Sequence, residues 1–75
     1  MRELHVKTSD CSYRELVRIA ARAGFVIKEG GKHCKIETQA GQFVATIPRH
    51  SRLKRETARG IVEAMNRHEA KIDYS

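Results

Sequence analysis

Aromatic side chains are scarce in this sequence of 75 residues, which has two Phe, two Tyr and no Trp. Stacking platforms for nucleic-acid bases need exposed aromatic rings, so this composition argues against such a platform. The cysteines Cys11 and Cys34 are too few for a disulfide scaffold, and they favour a reducing, cytoplasmic setting. A run of about 18 apolar residues is lacking, which excludes a transmembrane helix. Residues 1–10 contain no apolar run, so we expect no signal peptide.

Positive charge is in excess, with 15 Lys and Arg against nine Asp and Glu, a net charge of +6 and an isoelectric point near 9.8. Apolar residues make up 40% and charged residues 32%, which is typical of a globular domain. The length predicts a single domain over residues 1–75 with a thin core. The basic balance predicts a polyanionic partner, nucleic acid first. The alternative is charge that only keeps the protein in solution.

Two segments have the spacing of amphipathic helices, and we predict helices near residues 12–23 and 54–70. Ser12 and Glu15 form a capping box at the start of the first, and Gly24 ends it. The buried stripes are Leu16, Ile19, Ala20 and Ala23 in the first helix, and Ala58, Ile61, Val62 and Met65 in the second. Ile72 lies seven residues beyond Met65, which extends the second helix to about residue 70.

Three strands are predicted between the helices, at roughly residues 25–29, 32–38 and 42–47, joined by glycine-containing turns. Because side chains alternate along a strand, Cys34 and Ile36 face the core and His33 projects from the opposite, more exposed face. The order α-β-β-β-α predicts an α+β fold in which a three-stranded antiparallel sheet carries the helices on one face. Leu4 and Val6 permit one further short strand near the start.

Of the four histidines, His33 has the clearest potential for chemistry, because it follows a glycine turn where the backbone can approach a ligand. His5 and His68 have no polar constellation around them. An imidazole can take the proton from the 2′-hydroxyl of RNA at neutral pH, and the oxygen then attacks the adjacent phosphorus in line with the leaving oxygen. Basic side chains would stabilise the developing charge, so this reaction needs no metal. The alternative is a surface histidine without chemistry.

Basic residues flank His33 and follow the third strand, and they are the candidates for contacts to RNA phosphates. They are Lys32, Lys35, Arg49, His50, Arg52, Lys54 and Arg55. The alternative for these charges is a solvated surface.

Other sites are disfavoured by spacing. A Cys-x-x-Cys, a His-x-x-x-His and a carboxylate cluster are all lacking, and the alternation places Cys34 on the face opposite His33. These two observations argue against a metal site and against a Cys-His nucleophile pair. The segment Gly30-Gly31-Lys32 lacks the spacing of a phosphate-binding Walker motif. We therefore expect neither a metal nor another cofactor.

Four segments in order resemble the HicA-type toxins, also called YcfA-like proteins, over about residues 12–65. Ala23-Gly24-Phe25 is similar to the helix-ending Gly-Phe of that family, and Gly31-Lys32-His33-Cys34 occupies the place of its Gly-Ser-His-His. Ile47-Pro48-Arg49-His50 resembles its strand-ending Pro with a nearby His. Leu53-Lys54-Arg55-Glu56-Thr57-Ala58-Arg59-Gly60-Ile61 resembles its Leu-x-x-Gly-Thr-Leu-Arg-x-Ile. Short extensions remain at both ends, which either pack together, bind a partner or mark a divergent member.

The resemblance implies a fold similar to the double-stranded-RNA-binding domain, an mRNA endonuclease activity and a HicB-type antitoxin that covers the catalytic histidine, which His33 matches. Three positions depart from the family pattern: Lys32 replaces Ser, Cys34 replaces the second His, and Glu56 replaces the Gly before Thr57. A carboxylate at position 56 suits the helix dipole but weakens phosphate binding there. Two alternatives to the enzyme stay open, a non-catalytic RNA-binding module of the same fold and a protein that retains only the antitoxin-binding face.

Overall fold

Two helices and five strands follow one another along the chain in the computed structural model, which describes residues 4–75. The elements are β1 (Leu4–Val6), a 3-10 turn (Thr8–Asp10), α1 (Tyr13–Arg22), β2 (Val26–Glu29), β3 (His33–Glu37), β4 (Phe43–Pro48), α2 (Arg55–Arg67) and β5 (Ile72–Tyr74). The three central strands and α1 begin and end within one residue of the bounds predicted from the sequence. The extension before residue 4 lies outside the described residues.

Helix α1 begins with the predicted capping box. The Ser12 hydroxyl oxygen accepts a hydrogen bond from the backbone N–H of Glu15 at 3.3 Å, which satisfies one of the free donors of the first turn. Beyond the last helical residue, Gly24 adopts a φ of +94°, a left-handed conformation that costs glycine little. The chain reverses at once into β2, because the N–H of Phe25 donates to the carbonyl of Ala20 at 3.0 Å.

The central sheet has the order β2-β3-β4, and all of its pairs are antiparallel. Cys34 pairs with Ile47, and Ile36 pairs with Ile27 on one side and Ala45 on the other. Directly opposed residues face the same side of a sheet, so these side chains form one apolar face. Both helices pack on this face, which we call the helix face. The fold is therefore α+β with the helices on one face, as predicted, and it resembles the double-stranded-RNA-binding domain.

Helix α2 ends at Arg67, three residues before the predicted end at residue 70. Glu69 adopts a φ of +72°, and Ile72 belongs to a strand instead of a further helical turn. The Asn66 side chain holds this reversal, since its oxygen accepts from the Ile72 N–H at 2.9 Å and its nitrogen donates to the Ile72 carbonyl at 3.1 Å. The seven-residue spacing from Met65 correctly indicated burial of Ile72 and was wrong about the element that buries it.

The two ends of the described chain pair with each other. Strand β1 runs parallel to β5, with Leu4 opposite Ile72 and Val6 opposite Tyr74. The buried Thr8 hydroxyl donates to the carbonyl of Ser75 at 2.6 Å. Of the three expectations for the extensions, packing together is therefore the one observed for residues 4–75. Neither helix in this range is long and apolar enough to cross a membrane.

Candidate active site

His33 is the first residue of β3, and its side chain is exposed on the face of the central sheet that the helices leave uncovered. We call this the outer face. Lys35 lies two residues further along on the same face, whereas Cys34 is fully buried on the helix face. The predicted alternation is confirmed, and the opposite orientation of Cys34 separates its thiol from the imidazole.

An open groove of about 390 Å³ lies along the outer face at His33. It is lined by Lys28, Glu29, Gly30, Gly31, Lys32, His33, Lys35 and Glu37, and we call it the His33 groove. The ammonium group of Lys28 lies 3.9 Å from the Glu37 carboxylate. Among residues 4–75, no carboxylate lies within ion-pair distance of Lys32 or Lys35. The groove therefore offers an imidazole beside two cations that are free to bind an anion.

The turn before His33 depends on a close backbone approach at Gly30. The N–H of Gly30 donates to the carbonyl of His33 at 3.0 Å. A Cβ atom at Gly30 would lie only 2.8 Å from that same carbonyl oxygen, whereas one at Gly31 would meet nothing within 4 Å. A side chain at position 30 therefore has to displace the backbone that carries the imidazole.

The basic loop over residues 49–54 is held in place by backbone hydrogen bonds to the turn before β3, to the start of α1 and to the residue that follows the 3-10 turn. The N–H of Arg49 donates to the carbonyl of Lys32 at 3.3 Å, and the carbonyl of His50 accepts from the N–H of Tyr13 at 3.2 Å. At the far end, the N–H of the buried Leu53 donates to the carbonyl of Cys11 at 2.8 Å. The loop is consequently more firmly positioned than its place between a strand and a helix suggests.

The two arginines of this loop differ in how firmly they are engaged within the protein. The Arg49 guanidinium forms an ion pair with Glu29 and lies 5.9 Å from the centroid of the Tyr13 ring. Arg52 lies 3.6 Å from the carboxylate of Asp10, with both side chains largely exposed. A surface pair of this kind contributes little, so Arg52 remains available to an anion, while Arg49 is held on both sides.

A second groove of about 400 Å³ adjoins the start of α2, and its lining residues are Pro48, His50, Arg52, Leu53, Lys54 and Thr57. Pro48 is also the residue paired with His33 across β3 and β4, so one lining residue of each groove lies beside the other at this end of the sheet. Arg55 lies apart from both, in a smaller pocket beside Arg59 and Tyr74. The structure thus brings five of the seven predicted phosphate-binding residues to the two grooves, Lys32, Lys35, His50, Arg52 and Lys54.

Two residues that sequence reasoning did not single out belong to the outer face. Lys28 lines the His33 groove and is paired with Lys35 across β2 and β3. The turn at Gly30 and Gly31 sets the register that places Lys28 opposite Lys35, and this register is the sequence signal that could have identified Lys28. Phe43 has an exposed ring at the start of β4, and nothing in its local pattern marks it as exposed.

Cys11, like Cys34, is almost completely buried. Burial, followed by the negative charges of Glu15 and Asp10, raises the pKa of the Cys11 thiol from 9.0 to about 11. The thiol is therefore protonated near neutral pH and is not a nucleophile there. Within residues 4–75, no three His, Cys, Asp or Glu side chains come together as a metal-binding group.

One family comparison decides the affiliation of the chain. The family described as HicA toxin of bacterial toxin-antitoxin matches residues 13–69. The chain belongs to the HicA toxin family. The match begins at the first residue of α1 and ends just beyond α2, so it contains the central sheet and both grooves and leaves β1 and β5 outside. No curated protein and no solved structure matches the chain.

Proposed function

We propose that this HicA family member is a metal-independent endoribonuclease that cleaves mRNA, with His33 as the general base. The observation that carries the proposal is the exposed imidazole of His33 in a groove with the unpaired ammonium groups of Lys32 and Lys35. A general base has to be accessible to its substrate, and a phosphate has to find positive charge beside it. Both requirements are met on the outer face of the sheet.

In the proposed reaction the His33 imidazole takes the proton of a ribose 2′-hydroxyl. The 2′-oxygen then forms a bond to the adjacent phosphorus, and the bond from phosphorus to the 5′-oxygen of the next nucleotide breaks. The leaving oxygen takes a proton from solvent, which leaves a 2′,3′-cyclic phosphate and a 5′-hydroxyl. Lys32 and Lys35 stabilise the negative charge that grows on the phosphoryl oxygens.

The bound RNA strand passes from the His33 groove toward the second groove, because Pro48, which lines the second groove, is paired with His33 across β3 and β4. His50, Arg52 and Lys54 then contact phosphates on one side of the scissile bond. Arg49 acts indirectly, since its guanidinium holds Glu29 and thereby reduces the negative charge at the edge of the groove. Arg55, in its separate pocket, contacts a more distant part of the RNA.

The family affiliation supports a protein partner as well. A HicB-type antitoxin would inhibit cleavage by covering His33 and the outer face around it. We place the protein in the cytoplasm, where mRNA is available and where the two buried, unpaired cysteines stay reduced.

The test is RNA cleavage by the wild type and His33→Ala side by side in the presence of a chelator. Removal of a general base should lower the rate about 100- to 10,000-fold. His5→Ala is the matched control, because this histidine is also exposed but lies on β1. The melting temperature of His33→Ala should stay close to that of the wild type, since the side chain packs against nothing in the core.

Mass spectrometry of the product ends tests the reaction mechanism, whereas the cleavage rate of His33→Ala tests whether His33 is the general base. A 2′,3′-cyclic phosphate is expected, and a 5′-phosphate or a requirement for a divalent ion would contradict the mechanism. Full activity of His33→Ala would show that His33 is not the general base. RNA binding without cleavage by the wild type would favour the non-catalytic module, and binding of a HicB-type protein alone would favour the interaction protein.

A further inference from the structure

Phe43 is the one large apolar side chain that is strongly exposed among residues 4–75, with 55% of its surface accessible. It is the first residue of β4 and is paired with Glu37 of β3. Glu37 shares the outer face with Lys35 and His33 because it follows them at intervals of two residues. Since opposed residues project from the same side, the Phe43 ring stands on the outer face as well.

The exposure of Phe43 follows from an irregularity in the sheet. The pairing of β3 with β4 shifts its register between Ile36 and Glu37, so that β4 contributes one extra residue. The consecutive residues Val44 and Ala45 are both buried, each with 8% of the surface accessible. Such a bulge re-aims the neighbouring side chain, which here turns the phenyl ring away from the core and toward the outer face.

The surroundings of Phe43 on this face are mostly polar. Its direct partner is the carboxylate of Glu37, and the half-buried Val26 lies on the far side of Glu37 in the same row. The next row crosses the sheet as Lys28, Lys35 and Thr46. A protein-docking surface has a core of several contiguous apolar side chains. A single exposed aromatic ring beside two lysines, Lys28 and Lys35, is instead the arrangement that binds single-stranded nucleic acid, in which cations hold the backbone and the ring stacks on a base.

We propose that Phe43 is a nucleobase-stacking subsite for single-stranded RNA on the outer face. The proposal rests on the proposed function and extends it to how the substrate is held. Glu37 lies four residues after His33 on β3, and Phe43 lies opposite Glu37 on the neighbouring strand. The distance from His33 to Phe43 is therefore roughly 14 Å. The stacked base therefore lies a few nucleotides from the scissile phosphate, and the ammonium groups of Lys28 and Lys35 bind the phosphates between them. The scarcity of aromatic residues, which argued against stacking, does not prevent one well-placed ring from providing it.

Glu37 is the one acidic neighbour of the proposed subsite, and its charge is offset within the sheet. The Lys28 ammonium group lies 3.9 Å from its carboxylate. The negative charge beside the ring is thereby reduced, and the base, which carries no charge, is the part of the nucleotide that comes closest to Glu37. Stacking on a phenyl ring is tolerant of base identity, so the subsite strengthens binding without selecting a sequence.

Because the sequence contains no tryptophan, Phe43→Trp introduces a unique fluorescent reporter at the subsite. We would place it in the His33→Ala background, so that the RNA stays intact, and titrate a short single-stranded RNA oligonucleotide of mixed sequence. Stacking of a base on the indole should quench its fluorescence. The matched control is His5→Trp in the same background, an exposed position on β1 outside the central sheet and away from the Arg55 pocket, where the same oligonucleotide should leave the fluorescence unchanged.

Affinity gives the second measurement. Base stacking on an aromatic ring contributes about 1–3 kcal/mol, so Phe43→Ala should weaken binding of the oligonucleotide about 5- to 150-fold. Phe43→Tyr should bind like the wild type, and Phe43→Leu, which keeps an apolar side chain without a ring, should behave like Phe43→Ala. An oligonucleotide with abasic sites should bind the wild type and Phe43→Ala equally.

The outcomes separate this subsite from the proposed function. If the wild type cleaves RNA while Phe43→Ala binds and cleaves as well as it does, the subsite alone is overturned. If no wild-type cleavage is found and Phe43→Ala still loses RNA affinity, the subsite stands on a binding module. A wild type that binds no RNA overturns both. Unchanged RNA affinity together with loss of binding to a HicB-type protein would overturn the subsite in favour of a protein-docking surface.

Discussion

The two faces of the central sheet are built from the same strands and have opposite properties. On the helix face, Cys34, Ile36 and Ile47 are completely buried. On the outer face, the residues alternating with them, His33 and Lys35, are exposed. A shift of one position along a strand therefore changes a side chain from a structural role to one that is open to ligands. Because the outer face contributes little to the core, its residues can serve RNA binding at little cost in stability.

The largest effect expected from this comparison concerns stability, and two consecutive residues of β3 test it. Ile36→Ala should lower the free energy of unfolding by about 2–5 kcal/mol, because it opens a cavity in the buried face. Lys35→Ala, on the outer face, should change it by no more than about 0.5 kcal/mol. Chemical denaturation monitored by circular dichroism measures both. Equal losses in the two variants would contradict the division of the sheet into a structural and a free face.

The turn between β2 and β3 gives a second test, in which one added methyl group distinguishes neighbouring glycines. Gly30→Ala places a Cβ 2.8 Å from the carbonyl oxygen of His33, so the backbone of the candidate base must move. A misplacement of about 1 Å costs about 100-fold in rate, and we expect a loss of about tenfold in RNA cleavage for this smaller shift.

Gly31→Ala is the matched control, because its added Cβ meets nothing within 4 Å. It should cleave RNA at the rate of the wild type. Comparable rates for the two alanine variants would mean that the close approach at Gly30 does not position the imidazole.

Salt dependence sharpens the comparison between free and engaged cations. The sequence predicts phosphate contacts for Arg49 and for Arg52 and Lys54, and each contact on a single strand should contribute about 0.7 to the slope of log affinity against log salt concentration. Replacing Arg52 and Lys54 together with Ala should flatten the slope by about 1.4 units. Arg49→Ala should change it less, because Glu29 and Tyr13 already hold that guanidinium.

This measurement uses RNA binding to the His33→Ala background at several salt concentrations. A slope that stays the same in the double variant would show that the phosphate contacts lie outside the second groove. A larger change for Arg49→Ala than for the double variant would show that Arg49 leaves its internal partners when RNA binds.

Local signals in the sequence account for most of the central fold. The period-two pattern around Cys34 and Ile36 predicts the two faces because burial permits one register, and the capping box with Gly24 predicts both ends of α1. The parallel pair of β1 and β5 could not be predicted, since three-residue strands carry too little pattern and their pairing joins the two ends of the described chain.

The same distinction applies to the candidate site. Alternation along β3 predicts that His33 is exposed, and this is confirmed; its catalytic role stays a prediction. The engagement of Arg49 by Glu29 and the exposure of Phe43 depend on neighbours brought close by tertiary structure and on a register shift, which a local pattern does not encode. The glycine turn and the resemblance to the HicA family both singled out His33, whereas only the assembled sheet shows which cations surround it.

A pH-dependent effect is expected on the buried side of the comparison, at Cys11. Its pKa is raised to about 11 in the folded protein, chiefly by burial, so the unfolded chain loses this proton at a lower pH than the native state does. The neutral thiol therefore contributes its full stability below about pH 9, and that contribution falls as the pH rises toward 11. The difference in unfolding free energy between the wild type and Cys11→Ala should shrink over this interval. Because the variant retains every other titrating group, a difference that stays constant would mean that the Cys11 thiol ionises alike in the folded and unfolded chains, as an exposed outer-face group would.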